Sequence, residues 1–485
     1  MENGEACVDK AAVTPGPEPG PGTAPDRART HGAPRPALTT LDGVVLIVGL
    51  VLGAGIFRAP QLVAAGSGST ETFLLLWVIG GVVSLIGALC YAELAATYPS
   101  AGGEYHFLTR TFGRRIGFLC AWSRLTVIQT GSIAILSFLV GDYAGSIGWG
   151  ENPPRWASAA IAAAVVILLT AINVAGLRQG TRMQYGLTTL EVLALLALIA
   201  AGLAAALSSG IGPSRSATAH VPSSGPSLAF IFVLLTFGGW SEAAYLSAEF
   251  HDRRRGVVRT LAWGLAIITL LYLLTNAAYL VTLGLGGIAK STAVAADVMR
   301  MWVGEWGAVL VSVGVMVAAL SSANATMITG ARSNYALGRD VPFFGFLAGW
   351  HELQSTPKAA FLLQGAIALG LVGFGALTRG GFEAMVAYTA PVFWLILFGT
   401  GAALIVLRRR EPTTARPFRV PLYPLTPVLF CIVAAYMMHA SVAYAGRGAL
   451  LGLAVMLAGI PVLALARSRA AATSQTQPLV SRGTP

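Results

Sequence analysis

Two glycine clusters inside long apolar runs are the residues of this chain whose type and spacing could do chemistry. Gly53-Ala54-Gly55 interrupts the run from Leu41 to Gly66, and Gly238-Gly239 interrupts the run from Ser227 to Phe250. A helix in lipid must satisfy its own backbone, so an interior glycine pair marks a place where the backbone opens against protein or a water-filled cavity. The half-helix beginning at Ala54, Gly55 and Ile56 would offer unpaired N–H groups and a positive dipole end, partners for a carboxylate. The opening at Thr236, Phe237, Gly238 and Gly239 would offer freed carbonyls, partners for an ammonium. A zwitterion could be held this way without a buried side-chain charge. The competing reading is that these glycines only let helices pack closely. A dinucleotide fingerprint at Gly49 to Gly55 is a weaker reading still, because neither a strand pattern nor an acidic residue follows it.

Charged residues inside the apolar runs are the second signal, since they are costly in lipid and mark function. Arg124 and Glu191 both lie about seven or eight residues inside their spans, at a depth of roughly 10 to 12 Å for a rise of about 1.5 Å per residue. An ion pair between them is the expectation. Unpaired, Glu191 would be protonated at neutral pH and could carry a coupled proton. Ionised, it could ligate a hard cation through oxygen. Alternatively, both side chains snorkel to the interface. Glu93, Glu104 and Glu249 fall near span ends, where they could lock a gate through Arg110, Arg253 or Arg332, or form ordinary surface ion pairs. Asn324 either hydrogen-bonds a substrate or joins two helices; its sequon lies within a span and should stay unmodified. Trp240, Tyr272, Asn276 and Tyr279 are read as packing residues.

The elements that would carry these residues are membrane helices. Of 485 residues, 55% are hydrophobic and 11% charged, with a mean hydropathy of +0.69, too apolar for a soluble core. The net charge of +11 does not point to nucleic acid, because Lys and Arg sit in short gaps between apolar runs rather than on one face or tail. Cys7, Cys90, Cys120 and Cys431 are scattered without metal-ligand spacing, and the last three read as buried thiols. At about 20 residues per crossing, the chain divides into about 12 spans near 41–66, 72–97, 117–146, 156–175, 184–208, 227–250, 258–285, 305–330, 360–378, 382–407, 423–444 and 448–467. Most Lys and Arg, including Arg110, Arg114, Arg115, Arg253 to Arg255 and Arg408 to Arg410, then fall on the side of the N-terminus, which places both termini in the cytoplasm. Residues 1–37 and 470–485 are expected to be disordered tails, with no apolar leader and the first span serving as signal. The two breaks are five spans apart, an odd number, so the second unit runs inverted relative to the first. The expected organisation is a ten-helix inverted repeat over 38–410, with helices 1 and 6 discontinuous, followed by two additional helices over 411–469.

Several motifs in matching order resemble one family. They are Gly49-Leu50-Val51-Leu52-Gly53-Ala54-Gly55-Ile56-Phe57; Tyr91-Ala92-Glu93-Leu94 with Pro99-Ser100-Ala101-Gly102-Gly103-Glu104-Tyr105; Phe237-Gly238-Gly239-Trp240-Ser241-Glu242-Ala243-Ala244-Tyr245; and Ser321-Ser322-Ala323-Asn324 continuing to Arg332 and Asp340. From about Leu38 to Arg410 the chain resembles the amino acid-polyamine-organocation transporters, and within them the amino acid permeases and L-type exchangers. The resemblance implies the leucine-transporter-like fold and transport of an amino acid. It carries the family's substrate contacts to Gly53, Ala54, Gly55, Ile56, Thr236, Phe237, Gly238, Gly239 and Asn324. Relatives often place an aromatic gate where this chain has Leu235, so an apolar lid is expected, with Phe237 as a substitute. Glu191 stands where many sodium-independent relatives carry a Lys, and Arg124 where L-type exchangers are acidic.

The resulting expectation is an all-α secondary transporter for neutral amino acids, working by alternating access as an exchanger or proton-coupled symporter. Neutral substrates are favoured because no obvious buried acid near the breaks would pair a basic side chain. A polyamine or organic-cation carrier is the alternative, with Glu242 the sole nearby acid, followed by a non-transporting amino acid receptor. No Ser/His, Cys/His or metal constellation points to an enzyme or a cofactor. The short loop from Ser146 to Arg155 contains no cysteine, so no disulfide-linked heavy chain is expected among the partners, which are the amino acid, membrane lipid and a proton if transport is proton-coupled. High Ala, Gly and Arg content points to a GC-rich bacterial source and its cytoplasmic membrane.

Overall fold

The computed structural model describes residues 38–53, 55–149, 154–208, 226–252, 255–291, 293–351, 354, 356–377 and 381–466. The expectations for the tails at 1–37 and 470–485, and for Ala54, Arg253 and Arg254, lie outside the described residues.

The first span begins with a capping box. The Thr39 hydroxyl accepts from the Asp42 amide, and the Asp42 carboxylate accepts from the Thr39 amide at 2.7 Å. Helix α1 (Thr40–Val51) then stops at Leu52-Gly53, and α2 (Gly55–Ser67) leaves at an angle of 50°. The sixth span is broken in the same way. Helix α9 (Pro226–Thr236) ends, Gly239 takes φ of +108°, and the chain resumes as a 3-10 turn over Trp240–Leu246. That φ lies in the left-handed region open to glycine at little cost.

Between the two breaks run α3 (Thr70–Thr97), the short α4 (Glu104–Phe112), α5 (Arg114–Ser123), α6 (Gln129–Trp149), α7 (Arg155–Ala175) and α8 (Leu177–Ser208). Helices α5 and α6 are one crossing joined by a π-helical turn at Arg124–Ile128. After the sixth span follow α10 (Gly256–Lys290), α11 (Val294–Val303), α12 (Trp306–Asp340), α13 (Lys358–Ala376), α14 (Gly381–Arg410), α15 (Leu425–Ala445) and α16 (Arg447–Leu457), the last continuing its crossing to Ala466. Among the described residues, 11 helices are long and apolar enough to cross a membrane, and the bent pair α1 and α2 makes 12. The protein is thus an all-α, multi-pass membrane protein of the expected class.

Two boundaries differ from the expected spans. Helix α12 runs ten residues past the expected end at 330, and the third crossing starts at Arg114 rather than 117. Hydropathy ends a span where polar residues begin. In α12 those residues, Arg332, Ser333 and Asn334, are buried among protein groups. The helix persists there because protein surrounds it: Arg332 pairs with Glu249, and Asn334 donates to Gln364 of α13.

The two broken spans start and end together. Leu38 bridges Phe250, with its amide donating to the Glu249 carbonyl at 2.9 Å and its carbonyl accepting from His251 at 3.0 Å. The face on which α1 begins is called the near face below. Large exposed apolar side chains such as Leu75, Ile167, Leu193, Trp263, Leu270 and Ile432 lie on the outer surfaces of the helices, where lipid would replace water.

Candidate substrate site

The carbonyls at the break in the first span are bonded by side chains from two other helices. Ser321 and Ser322 of α12 donate to the Gly49 carbonyl at 3.1 and 3.0 Å, and Ser322 also reaches the Leu50 carbonyl at 3.0 Å. This approach requires glycine at position 49, because a Cβ there would stand 2.1 Å from Thr188 Oγ1 and 2.4 Å from Gln184 Nε2. From α10, the Tyr272 hydroxyl lies 2.7 Å from the Val51 carbonyl and 3.0 Å from the Thr236 carbonyl. One hydroxyl proton is shared between the last helical carbonyls of both breaks, which leaves acceptor capacity at the junction.

The breaks open onto a cavity of about 340 Å³. Gly53, Gly55, Leu235, Thr236, Gly238 and Gly239 line it, as do Ser322 and Thr326 of α12. Its apolar walls come from α6, through Ile135, Leu136 and Leu139, and from α14, through Val386, Ala390, Phe393 and Trp394. The contribution of α14 was not anticipated, because nothing in an apolar span lacking a break distinguishes a cavity wall from a packing face. Gln129 and Glu242 lie at one end of the cavity, Arg58 and Tyr143 at the other. Arg58 and Tyr143 also line a second cavity of about 430 Å³ between α2, α11 and α12. Arg58 and Tyr143 thus stand between the two cavities.

Toward the near face the path is closed by buried charges. Arg124, with no solvent exposure, sits between Glu104 at 2.7 Å and Glu242 at 2.8 Å, with the Tyr245 ring 4.0 Å from its guanidinium carbon. Glu104 also accepts from the Tyr91 hydroxyl at 2.5 Å and the Tyr245 hydroxyl at 2.8 Å, and Glu242 accepts from Gln129 Nε2 at 2.9 Å. Deeper still, Arg332 of α12 pairs with Glu249 through two hydrogen bonds and donates to the Ile328 carbonyl at 2.7 Å.

Several sequence expectations need correction against this geometry. The ion pair between Arg124 and Glu191 does not form. The turn carrying Arg124 packs on α5, α6, α12, α14 and α16, whereas Glu191 lies on α8, which packs on α1, α7, α10, α11 and α12. Equal depth does not mean adjacency. Glu191 is instead buried with its carboxyl beside the Ser321 hydroxyl, and neither oxygen is in hydrogen-bonding geometry. Asn324 does not face the cavity; its amide donates to the Gly180 carbonyl and Gln184, and its oxygen accepts from Asn173 at 2.8 Å, joining α12 to α7 and α8.

Ile56 and Phe237 are fully buried away from the cavity. The Phe237 ring packs 4.9 Å from Tyr272 and 6.3 Å from Trp77, so it does not substitute for the lid. Leu235, 41% exposed, is on the cavity. Glu93 meets neither Arg110 nor Arg332. It accepts from Arg408 at 2.7 Å and from the Val420 amide at 2.6 Å, with Arg416 at 3.4 Å, and so fastens α3 to the strap 411–424 after α14. Arg110 pairs with Glu411 of the same strap at 2.9 Å. Glu104 stands beside Arg124 rather than at the span end, while Glu249 does meet Arg332.

The family profile described as "Amino acid permease" matches residues 38–460. The chain is 30% identical over 432 residues to Asc-type amino acid transporter 1 of Mus musculus, covering 88% of this chain and 80% of that one. It is 27% identical over 407 residues to b(0,+)-type amino acid transporter 1 of Mus musculus, covering 83% and 82%. It is 27% identical over 427 residues to the cystine/glutamate transporter of Homo sapiens, covering 87% and 84%. The chain belongs to the amino acid permease family, as a multi-pass membrane transporter of amino acids rather than an enzyme.

Proposed function

We infer that the protein carries neutral amino acids by alternating access, with the substrate's main chain held at the two breaks and its side chain in the cavity between α6, α12 and α14. The observation that carries this reading is the joining of both breaks to one cavity whose walls are mainly aliphatic and aromatic. The first four N–H groups of α2 lack intrahelical partners and sit at the positive end of the helix dipole, where a carboxylate is stabilised. The carbonyls sharing the Tyr272 hydroxyl retain lone pairs for an ammonium. Gly53, Gly55, Leu235, Thr236, Gly238 and Gly239 are the substrate contacts of this reading, with Ser322 and Thr326 added. Ile56, Phe237 and Asn324 support the breaks from behind.

The state described is open toward the far face and closed at the near face by Arg124 and Arg332 with their acids. The excess of Lys and Arg beside the near face supports placing it, and both termini, in the cytoplasm. In that orientation this is an outward-open state. Residues 38–410 act as the ten-helix inverted repeat, and the strap with α15 and α16 braces it. The protein works without a disulfide-linked heavy chain, in the cytoplasmic membrane of a bacterium.

Glu191 is the coupling residue of this reading. A carboxyl buried with neither countercharge nor hydrogen bond is held at lowest cost as the neutral acid. Its position on α8 beside Ser321, which donates to Gly49, links its charge to the end of α1. The test is uptake of radiolabelled amino acids into proteoliposomes, with and without an inward proton gradient and with and without internal amino acid. Gradient-dependent uptake by the native protein that becomes gradient-insensitive in Glu191→Gln is expected. Uptake that needs internal substrate and ignores the gradient would reassign the protein as an exchanger and remove Glu191 from coupling.

A further inference from the structure

The Glu104, Arg124 and Glu242 cluster does more than close the near side, because one of its members faces the substrate. Glu242 and Gln129 line the cavity, whereas Arg124 does not. Arg124 stands directly behind Glu242, bonded through Nη2 to both of its oxygens at 2.8 Å. The π-helical turn is the local cause. It carries Arg124 at its first position, Gln129 follows its last, and both side chains converge on Glu242.

Two carboxylates share one guanidinium, so with both acids ionised the cluster bears one surplus negative charge. On the side away from the cavity, Glu104 is satisfied by two tyrosine hydroxyls and Arg124. On the cavity side, Glu242 receives Arg124 on both oxygens and Gln129 on one. A carboxylate accepts about four hydrogen bonds, which leaves Glu242 one acceptor position. The guanidinium behind it keeps a buried Nε–H with no hydrogen-bond partner. The rest of the cavity near this end is apolar or hydroxylic, through Ile128, Ser132 and Thr389.

We propose that Glu242 is the specificity-determining residue of the cavity. It accepts a hydrogen bond from substrates with a short donor-bearing side chain, a hydroxyl, thiol or primary amide, and it turns away amino acids with an anionic side chain by masking Arg124. This deepens the reading above and rests on it. Removing the mask exposes a cation that Glu104 balances only from behind, so the floor changes sign as seen by the substrate. A like charge next to a buried acid is repelled, and an opposite charge beside an unmasked guanidinium is attracted.

The experiment uses the full-length protein in proteoliposomes, with competition by serine, alanine and glutamate against a transported radiolabelled amino acid. The native protein is expected to prefer serine to glutamate by at least about tenfold. In Glu242→Ala that ratio should fall by about tenfold or more because glutamate now competes. Glu242→Gln keeps the side-chain shape and a hydrogen bond to Gln129, so it carries the test should the alanine variant fail to fold; its serine-to-glutamate ratio should also fall. An equal loss for all three amino acids, with the ratio unchanged in both variants, would make Glu242 a purely structural partner of Arg124 and overturn the proposal. A native protein that carries glutamate as well as serine overturns it while leaving amino acid transport standing. One that carries no amino acid overturns both.

Discussion

Replacing Tyr272 by Phe removes one oxygen and tests whether the two breaks act as one unit. The ring would stay in place, because it packs 5.7 Å from Trp77 and 4.9 Å from Phe237. What disappears is the hydroxyl within hydrogen-bond distance of both the Val51 and the Thr236 carbonyls. A hydroxyl has one proton, so its loss strands one buried carbonyl at a time, at a cost of about 1–3 kcal/mol. A value of about 2 kcal/mol is expected. If that energy holds the breaks in their binding geometry, the competent fraction falls and the apparent affinity weakens by roughly tenfold to a hundredfold. The assay is substrate binding to the purified protein alongside its thermal unfolding with and without saturating amino acid. Affinity within about twofold of native, with an unchanged unfolding midpoint, would refute the idea that Tyr272 positions the breaks. Lower stability with native affinity would confine its role to packing.

Three further outcomes follow from buried or partly buried partners. Arg332→Met leaves Glu249 as an uncompensated buried charge and should destabilise by about 3–5 kcal/mol, whereas adding Glu249→Gln should recover most of that in thermal unfolding. Asn324→Ala should cost about 1–3 kcal/mol through the partners it abandons on α7 and α8, without changing the order of preferred substrates in uptake competition. Glu411, outside the spans, is held below the ordinary carboxylate range, chiefly by its hydrogen bond to Arg110. A lowered folded-state value means the clasp stabilises at neutral pH and is lost as pH falls through that value. The unfolding midpoint of the native protein should therefore drop more between pH 7 and pH 4 than that of Glu411→Gln, by an amount worth at most about 1 kcal/mol since both partners are partly exposed.

Much of the architecture was legible before any coordinates, because the signals involved are local. Runs of apolar residues report crossings, and Gly53, Gly55, Gly238 and Gly239 report openings, since the backbone can open in lipid only where a cavity or other protein satisfies it. Those four glycines do line one cavity.

Partners were a different matter. Depth along a helix can be counted at about 1.5 Å per residue, and by depth alone Arg124 and Glu191 match. The direction in which a side chain leaves its helix, and which helix lies there, depend on packing across the whole bundle. The π-helical turn aims Arg124 at Glu242 and Glu104, and α8 takes Glu191 to Ser321 instead. Asn324 and Phe237 fell on the right spans but the wrong faces for the same reason. The sequence by itself determined how many times this chain crosses and where its helices open, because hydropathy and glycine act on their own segment. Only the tertiary structure decided which acids meet which arginines and which residues face the substrate, because charges and cavity walls are defined by neighbours from other segments.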